Sequence, residues 1–569
     1  MSRMTRRAYA ELYGPTTGDL IRLGDTSLLA RVEHDHGVPG DELVGKVGGT
    51  VREGQGVASW AARSTGALDL VITNVVVIDP ILGVVKGDLG VCDGRIVGLG
   101  KAGNPDVMDG VHPDLIVGPH TAVVSGERLV ATPGAVEAHA HLLDPGQVDH
   151  CVAAGTTSIV AMDWGNLLDI AVSGPTAMST LCRAFESYPV NLGLLGRGSA
   201  HHVDAIVESV AYGCLGVKVH EDVGASPAAV DAALSAADQH DFSVCMHTDS
   251  LNESGYLDDT LAAIAGRSVH LFHTEGAGGG HVPDIIRVNG LPNVIPSSTN
   301  PTNPFTVGGV EESLMMTMLV HNLSPSLPED VALADARGRA ATMAAEDLLH
   351  DMGAISIFAA DTQGMGRANE NITCCWRLAS VMKDRVGRLA TETGDRGDNE
   401  RIARYLAKLT VNPAIAYGIA DHVGSLTPGK MADVVLWQPA FFGVRPFMVI
   451  KSGVPVSCAM GDPSASVTQA EPVRQRPQFG AKGAAPAHLG SLFVSQVAID
   501  HGYVASLGLR RRIEPITNVR QLSKADMVRN DALPVIEVDP RTLEVTADGV
   551  PLRCEPARSV PLSTRYLLR

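Results

Sequence analysis

Residues 129–141 read LVATPGAVEAHAH, and residues 215–222 read LGVKVHED. Each is a short apolar run carrying side chains able to hold a metal. On a strand, residues i and i+2 point to one side, so His139 and His141 can reach one ion together. Lys218 stands between two valines, and burying an ammonium without a partner is costly. One resolution is an ion pair. The other is carbamylation by CO2, which turns the amine into a carboxylate-like donor able to bridge two metals. Outward from these stretches the same rhythm repeats. TTSIVAM (156–162), NLGLLG (191–196), FSVCMH (242–247), SVHLFH (268–273) and AISIFAAD (354–361) alternate with helical segments such as the Ala-rich residues 227–240. That alternation predicts an α/β protein with a parallel sheet. His139, Lys218, His247, His273 and Asp361 each stand at the C-terminal end of a predicted strand, the functional end of a (β/α)8 TIM-type barrel.

Singly these residues are weak signals. An HxH pair occurs by chance, a lone histidine is more often a core residue, and Asp361 could cap a helix. In this order, on this alternation, they form a set. One ion would take His139, His141 and Asp361, the other His247 and His273, with carbamylated Lys218 bridging them at ~3.5–4 Å. A bridging hydroxide would then be the nucleophile or its source, because metal binding lowers the pKa of water. These donors do not choose between zinc, nickel and manganese. His270 and His281 read as structural. The glycines at 276 and 278–280 permit close backbone approach but fit no phosphate-loop pattern.

The chain has 569 residues, 45 basic against 63 acidic, for a net charge of −18. So acidic a surface argues against nucleic acid or an anionic membrane as the main partner. The basic start is followed by no apolar run of a secretory signal, and no 18-residue apolar stretch predicts a membrane span. Nine scattered cysteines without a CxxC pair read as reduced thiols, hence a cytoplasmic protein. Residues 1–130 are expected to form a mainly β domain, with an Asp-Gly turn at 93–94, and residues 131–422 the barrel, with a flap near 310–340. Residues 423–480 should rejoin the N-terminal strands in one composite β domain. Residues 481–569 form a terminal segment of unassigned role, and 471–492 read as a linker or covering loop.

The chain resembles the urease α (large catalytic) subunit family of the amidohydrolase superfamily. The resemblance runs from RRAYAELYGPTTGDLIRLGDT (6–26) onward. It is most specific in VKVHEDVGASPAA (217–229), HTDSLNESGYLDDTLAAIAGR (247–267), FHTEGAGGGHVPDII (272–286) and NVIPSSTNPTNP (293–304). It implies a binickel site hydrolysing urea to ammonia and carbamate, in the service of nitrogen metabolism. The implied ligands are His139, His141, N6-carboxylated Lys218, His247, His273 and Asp361. His220 would donate to the urea oxygen. His321, on the mobile flap, would be the general acid. Asp222 and Arg337 would support those two histidines, and Gly364 would lie near the urea amides. Separate β and γ small subunits, a ring of three αβγ units and nickel-delivering accessory proteins are implied as partners.

The chain also departs from the family pattern. Val320 replaces the flap cysteine, Asp144 the cysteine after HxH, and Gly364 a small alanine, a mild change. SIVAMDWGNLLDIAVSGP (158–175) replaces a glycine-rich loop lining the urea pocket and brings in Asp163 and Trp164. The C-terminal RYLLR lacks the usual aromatic ending. Three functions therefore compete. They are a urease α subunit, a diverged binuclear amidohydrolase acting on another amide or ureide (perhaps with zinc), and a non-catalytic urease-like paralogue. Retention of all six ligands favours the first.

Overall fold

The structure, a computed structural model, describes residues 4–45, 54–165, 171–172, 174–220, 223–247, 257–276, 284–394, 396–465 and 470–563. Its centre is a ring of eight parallel strands. They are β1 (Ala135–His141), β2 (Thr156–Met162), β3 (Asn191–Arg197), β4 (Gly216–Val219), β5 (Ser243–Met246), β6 (Val269–Leu271), β7 (Val294–Thr299) and β8 (Ile357–Ala359). Each pairs with the next in chain order. A parallel bridge between Ala140 and Thr362 brings the last strand back to the first. This is a (β/α)8 barrel. Its strands are buried on both faces, as a parallel sheet covered by helices requires, so they read as continuous apolar runs rather than alternating ones.

Seven of these strands coincide with the apolar runs of the sequence. The eighth, VIPSST at β7, was not among them. Its Ser and Thr side chains are buried nonetheless, with the Ser297 hydroxyl donating to the Leu271 carbonyl at 3.2 Å.

Beside the barrel lies a second sheet. Leu70–Asp79, Gly83–Cys92, Arg95–Gly100, Ala122–Ser125 and Val130–Pro133 precede the barrel. Val434–Trp437, Met448–Lys451, Val454–Met460 and Arg474–Pro477 follow it, and all nine belong to one sheet. Val434–Trp437 runs antiparallel to Val130–Pro133, which leads directly into β1. At the junction a Cβ on Gly134 would lie 2.2 Å from the Thr157 hydroxyl, so the chain passes there only without a side chain. Asp93 and Gly94 take positive φ of 52° and 72°, as the two central residues of a type I′ hairpin must.

Two stretches differ from expectation. Residues 471–492 are no linker: they contain the Arg474–Pro477 strand and the short helix Ala485–Leu489, whose Pro486 and Ala487 are buried. The terminal segment contributes to the barrel, because Ser491–Val494 pairs in parallel with the start of β3. Among the described residues no helix is long and apolar enough to cross a membrane.

Candidate metal centre

The ends of the barrel strands bring six of the predicted side chains together. His139 and His141 lie two apart on β1, with ring centroids 5.3 Å apart. Lys218 is the third of four residues in β4, and its Nζ lies 4.0 Å from the centre of the Phe272 ring. The His139 ring also stacks on Phe272, at 4.0 Å and 15°. His247 follows β5 directly, and its amide donates to the Val219 carbonyl at 3.1 Å. His273 and Asp361 each come two residues after a strand, with φ of 52° and 53°. Left-handed backbone is costly for residues other than glycine and clusters at functional sites. Here it turns the chain so that both side chains enter the mouth of the barrel.

Asp361 is the hub. Its Oδ1 lies 3.1 Å from His141 Nε2 and 3.4 Å from His139 Nε2, and its Oδ2 lies 3.6 Å from His273 Nε2. Donor atoms of His139, His273 and Asp361 all fall within 4.8 Å of one another. On the far side, the His247 ring is 4.8 Å from His273 and 4.1 Å from His220. Burial holds His139 and His247 well below the usual imidazole range, aided by neighbouring cationic and imidazole groups. They are therefore neutral lone-pair donors. Burial alone would raise Asp361, but the surrounding His139, His273 and His141 overcome it and hold the carboxyl well below its usual range. Burial would lower His141, but Asp163 on one side and Asp361 on the other push it up to about 9.

The donor set passes the test for a cation. Neither ring nitrogen of His139 makes a hydrogen bond among the described residues, though both are buried. Buried polar atoms are normally satisfied, and a metal is the partner this geometry suits.

Two family models match the chain: the urease alpha-subunit N-terminal domain over residues 2–124 and the amidohydrolase family over residues 130–456. The urease subunit alpha of Haloquadratum walsbyi is 48% identical over 570 residues, spanning all of both chains. That of Natronomonas pharaonis is 48% identical over 566 residues, 99% of each. The chain belongs to the urease alpha-subunit family.

A solved dihydropyrimidinase from Brevibacillus agri covers 68% of this chain and 94% of its own, at a TM-score of 0.48 and 14% identity. Family membership implies a binuclear metal site, and the His139–His273–Asp361 cluster is the part of it that stands out on geometry.

His321 and Arg337 stand at the ends of two helices, α1 (Gly309–Val320) and α2 (Pro328–Arg337). His321 caps the C-terminal end of α1. Its Nδ1 lies 3.0 Å from the Thr317 carbonyl, and its Nε2 is 2.5 Å from Arg337 Nη1. A carbonyl only accepts and a guanidinium only donates. The proton of the neutral ring is thereby assigned to Nδ1, and Nε2 turns its lone pair to Arg337. Arg337 is itself buried and close enough to help depress His247. Asp222 lies outside the described residues, as do residues 278–281.

The positions expected to depart from the family pattern have these surroundings. Asp144 accepts from the Gly146 amide at 2.7 Å, at the start of the helix that follows β1. Val320 is 40% exposed beside His321. Gly364 is more than a small change: a Cβ there would meet Asp361 Oδ1 at 2.3 Å and His141 Cδ2 at 3.1 Å. Trp164 packs against the barrel core, whereas the Asp163 carboxylate meets Nδ1 of His141. Residues 166–170 and 173 of the same loop lie outside the described residues.

Glu137 was not anticipated. It shares the face of β1 with His139 and His141. Its Oε1 accepts from the amides of His139 (3.0 Å) and Ala360 (2.9 Å), and its Oε2 accepts from Asn371 at 3.0 Å. It thus ties the first and last strands just below the ligands, and burial pushes its carboxyl up to about 8. A buried acid two residues before an HxH pair was the available signal.

Proposed function

We propose that this chain is the catalytic subunit of a urease and hydrolyses urea to ammonia and carbamate. One observation carries the reading. All six candidate ligands converge at the mouth of one barrel, in a chain 48% identical over its whole length to urease alpha subunits. His139, His141 and Asp361 would hold one nickel ion and His247 and His273 the other. Lys218, carboxylated by CO2, would reach both; zinc suits the same donors. Two such ions supply a water-derived nucleophile near neutral pH and polarise a carbonyl oxygen.

The chain's own residues do the rest. His220, whose ring lies 4.1 Å from that of His247, would donate to the urea oxygen. Asp222 would support it. Gly364, whose missing side chain lets the backbone lie against Asp361 and His141, would stand near the urea amides. His321 would deliver a proton to the leaving amine. As arranged here, its Nε2 accepts from Arg337, so that role needs α1 to shift, releasing Nε2 from the guanidinium so that it takes up a proton from solvent before donating it. Such closure also excludes water from the site. Arg337 is then a positioning residue that parks the ring between turnovers.

Assembly with separate β and γ subunits as three αβγ units, loading by nickel-delivering accessory proteins and a cytoplasmic location complete the proposal. The test is urea-dependent ammonia release and metal content on one sample of the assembled complex. About two nickel ions per chain together with turnover supports the reading. Bound metal with turnover of another amide but not urea supports a diverged amidohydrolase, which the Asp163 contact to His141 favours as the second reading. No metal and no turnover supports a non-catalytic paralogue.

A further inference from the structure

The segment 158–175 is where this chain departs from its family, and it places a carboxylate against a predicted ligand. Asp163 is the first residue after β2. In the β1–β2 ladder Met162 pairs with His141, so Asp163 comes one step beyond the histidine's partner. Its φ of 65° turns the side chain inward instead of continuing the strand. The residue is 5% exposed, and its Oδ2 is hydrogen-bonded to Nδ1 of His141. The opposite ring nitrogen, Nε2, faces Asp361 Oδ1 at 3.1 Å. The loop is anchored beyond this point, because the Gly165 amide donates to the Leu142 carbonyl at 2.8 Å.

We infer that Asp163 is a positioning residue for His141, holding its proton on Nδ1 so that Nε2 presents a lone pair to the ion shared with His139 and Asp361. The inference rests on the metal reading above. A carboxylate only accepts, so the contact fixes the tautomer as well as the ring plane. Carboxylates behind metal-bound histidines act this way and raise ligand basicity. His139 is held by different means: its ring stacks on Phe272, its amide is bound by Glu137, and among the described residues no carboxylate hydrogen-bonds its ring nitrogens. The two histidines of the HxH pair are thus fixed independently. Loss of Asp163 should weaken one ion and spare the other, which His247 and His273 hold.

The test compares the wild-type holoenzyme with Asp163→Asn and Asp163→Glu. Metal per chain is measured after dialysis, and the rate of metal release to a chelator is followed. Asp163→Asn should release one ion about 10–100-fold faster than wild type. It should fall from about two ions per chain to about one. Asp163→Glu, which keeps the charge, should retain that ion better than Asp163→Asn. If Asp163→Asn does not fold, Asp163→Glu against Asp163→Gln gives the same contrast of charge against no charge. Unchanged release of both ions from Asp163→Asn overturns the inference, as does equal loss of both ions alongside a lowered Tm. Equal release from the charged and uncharged variants also overturns it. A wild-type complex without metal overturns the underlying reading, and the inference with it.

Discussion

The barrel mouth and the helical hairpin of α1 and α2 are built in opposite ways. At the mouth, His139, Lys218, His273 and Asp361 are all buried, and each is fixed by a neighbour: Phe272 under His139 and Lys218, and Asp361 against three histidines. In the hairpin, α1 buries only Ser313 and Thr317, and α2 only Ala334 and Arg337. Met315, Leu319, Val320 and Leu327 face outward, with Leu319 80% exposed. Elements with few buried contacts open at low cost. The groups that would hold ions are preorganised, whereas the group that would deliver a proton rides on the part free to move. A polar contact between His321 and Arg337 links the two helices.

That division can be broken from either side. Lys218→Ala at the mouth should have the largest effect, reducing metal content and turnover to background; normal metal content, measured by elemental analysis, would refute the bridging carbamate. His321→Ala in the hairpin should lower kcat by about 10²–10⁴-fold while leaving metal content unchanged. Equal loss of both would make His321 structural and erase the contrast. Phe272→Ala, which removes the ring shared by His139 and Lys218, should cost about 3–5 kcal/mol in chemical denaturation. A cost below about 1 kcal/mol would mean the mouth tolerates disorder as the hairpin does. Leu319→Ala should change stability by no more than about 0.5 kcal/mol, since its side chain is already in water. A larger loss in the isolated chain would show that α1 packs more firmly than its exposure implies.

The legible and illegible parts of the sequence follow the same physics. Strands buried on both faces announce themselves as apolar runs, and seven of eight did. β7 was hidden because its Ser297 and Ser298 satisfy their hydroxyls inside the protein, the second against His350 Nε2 at 2.5 Å. Composition alone made it look like a loop. The ligands were readable because each sits at or just past a strand end. Their partners were not, because those depend on register between strands. Asp163 was visible as a departure, but its pairing with His141 follows from the β1–β2 ladder. Glu137 binds Ala360 across 223 positions of sequence, through the closure of the barrel. The pairing of Ser491–Val494 with β3 is equally remote, so the terminal segment gave no hint of its place.

The most direct test of the account is diffraction from the assembled complex at the nickel absorption edge. Two peaks about 3.5–4 Å apart are expected. One should lie among His139, His141 and Asp361 and the other between His247 and His273, with density beyond Lys218 Nζ for a carboxylate reaching both. No anomalous peak at the barrel mouth, or an unmodified Lys218 ammonium beside a single ion, would contradict it.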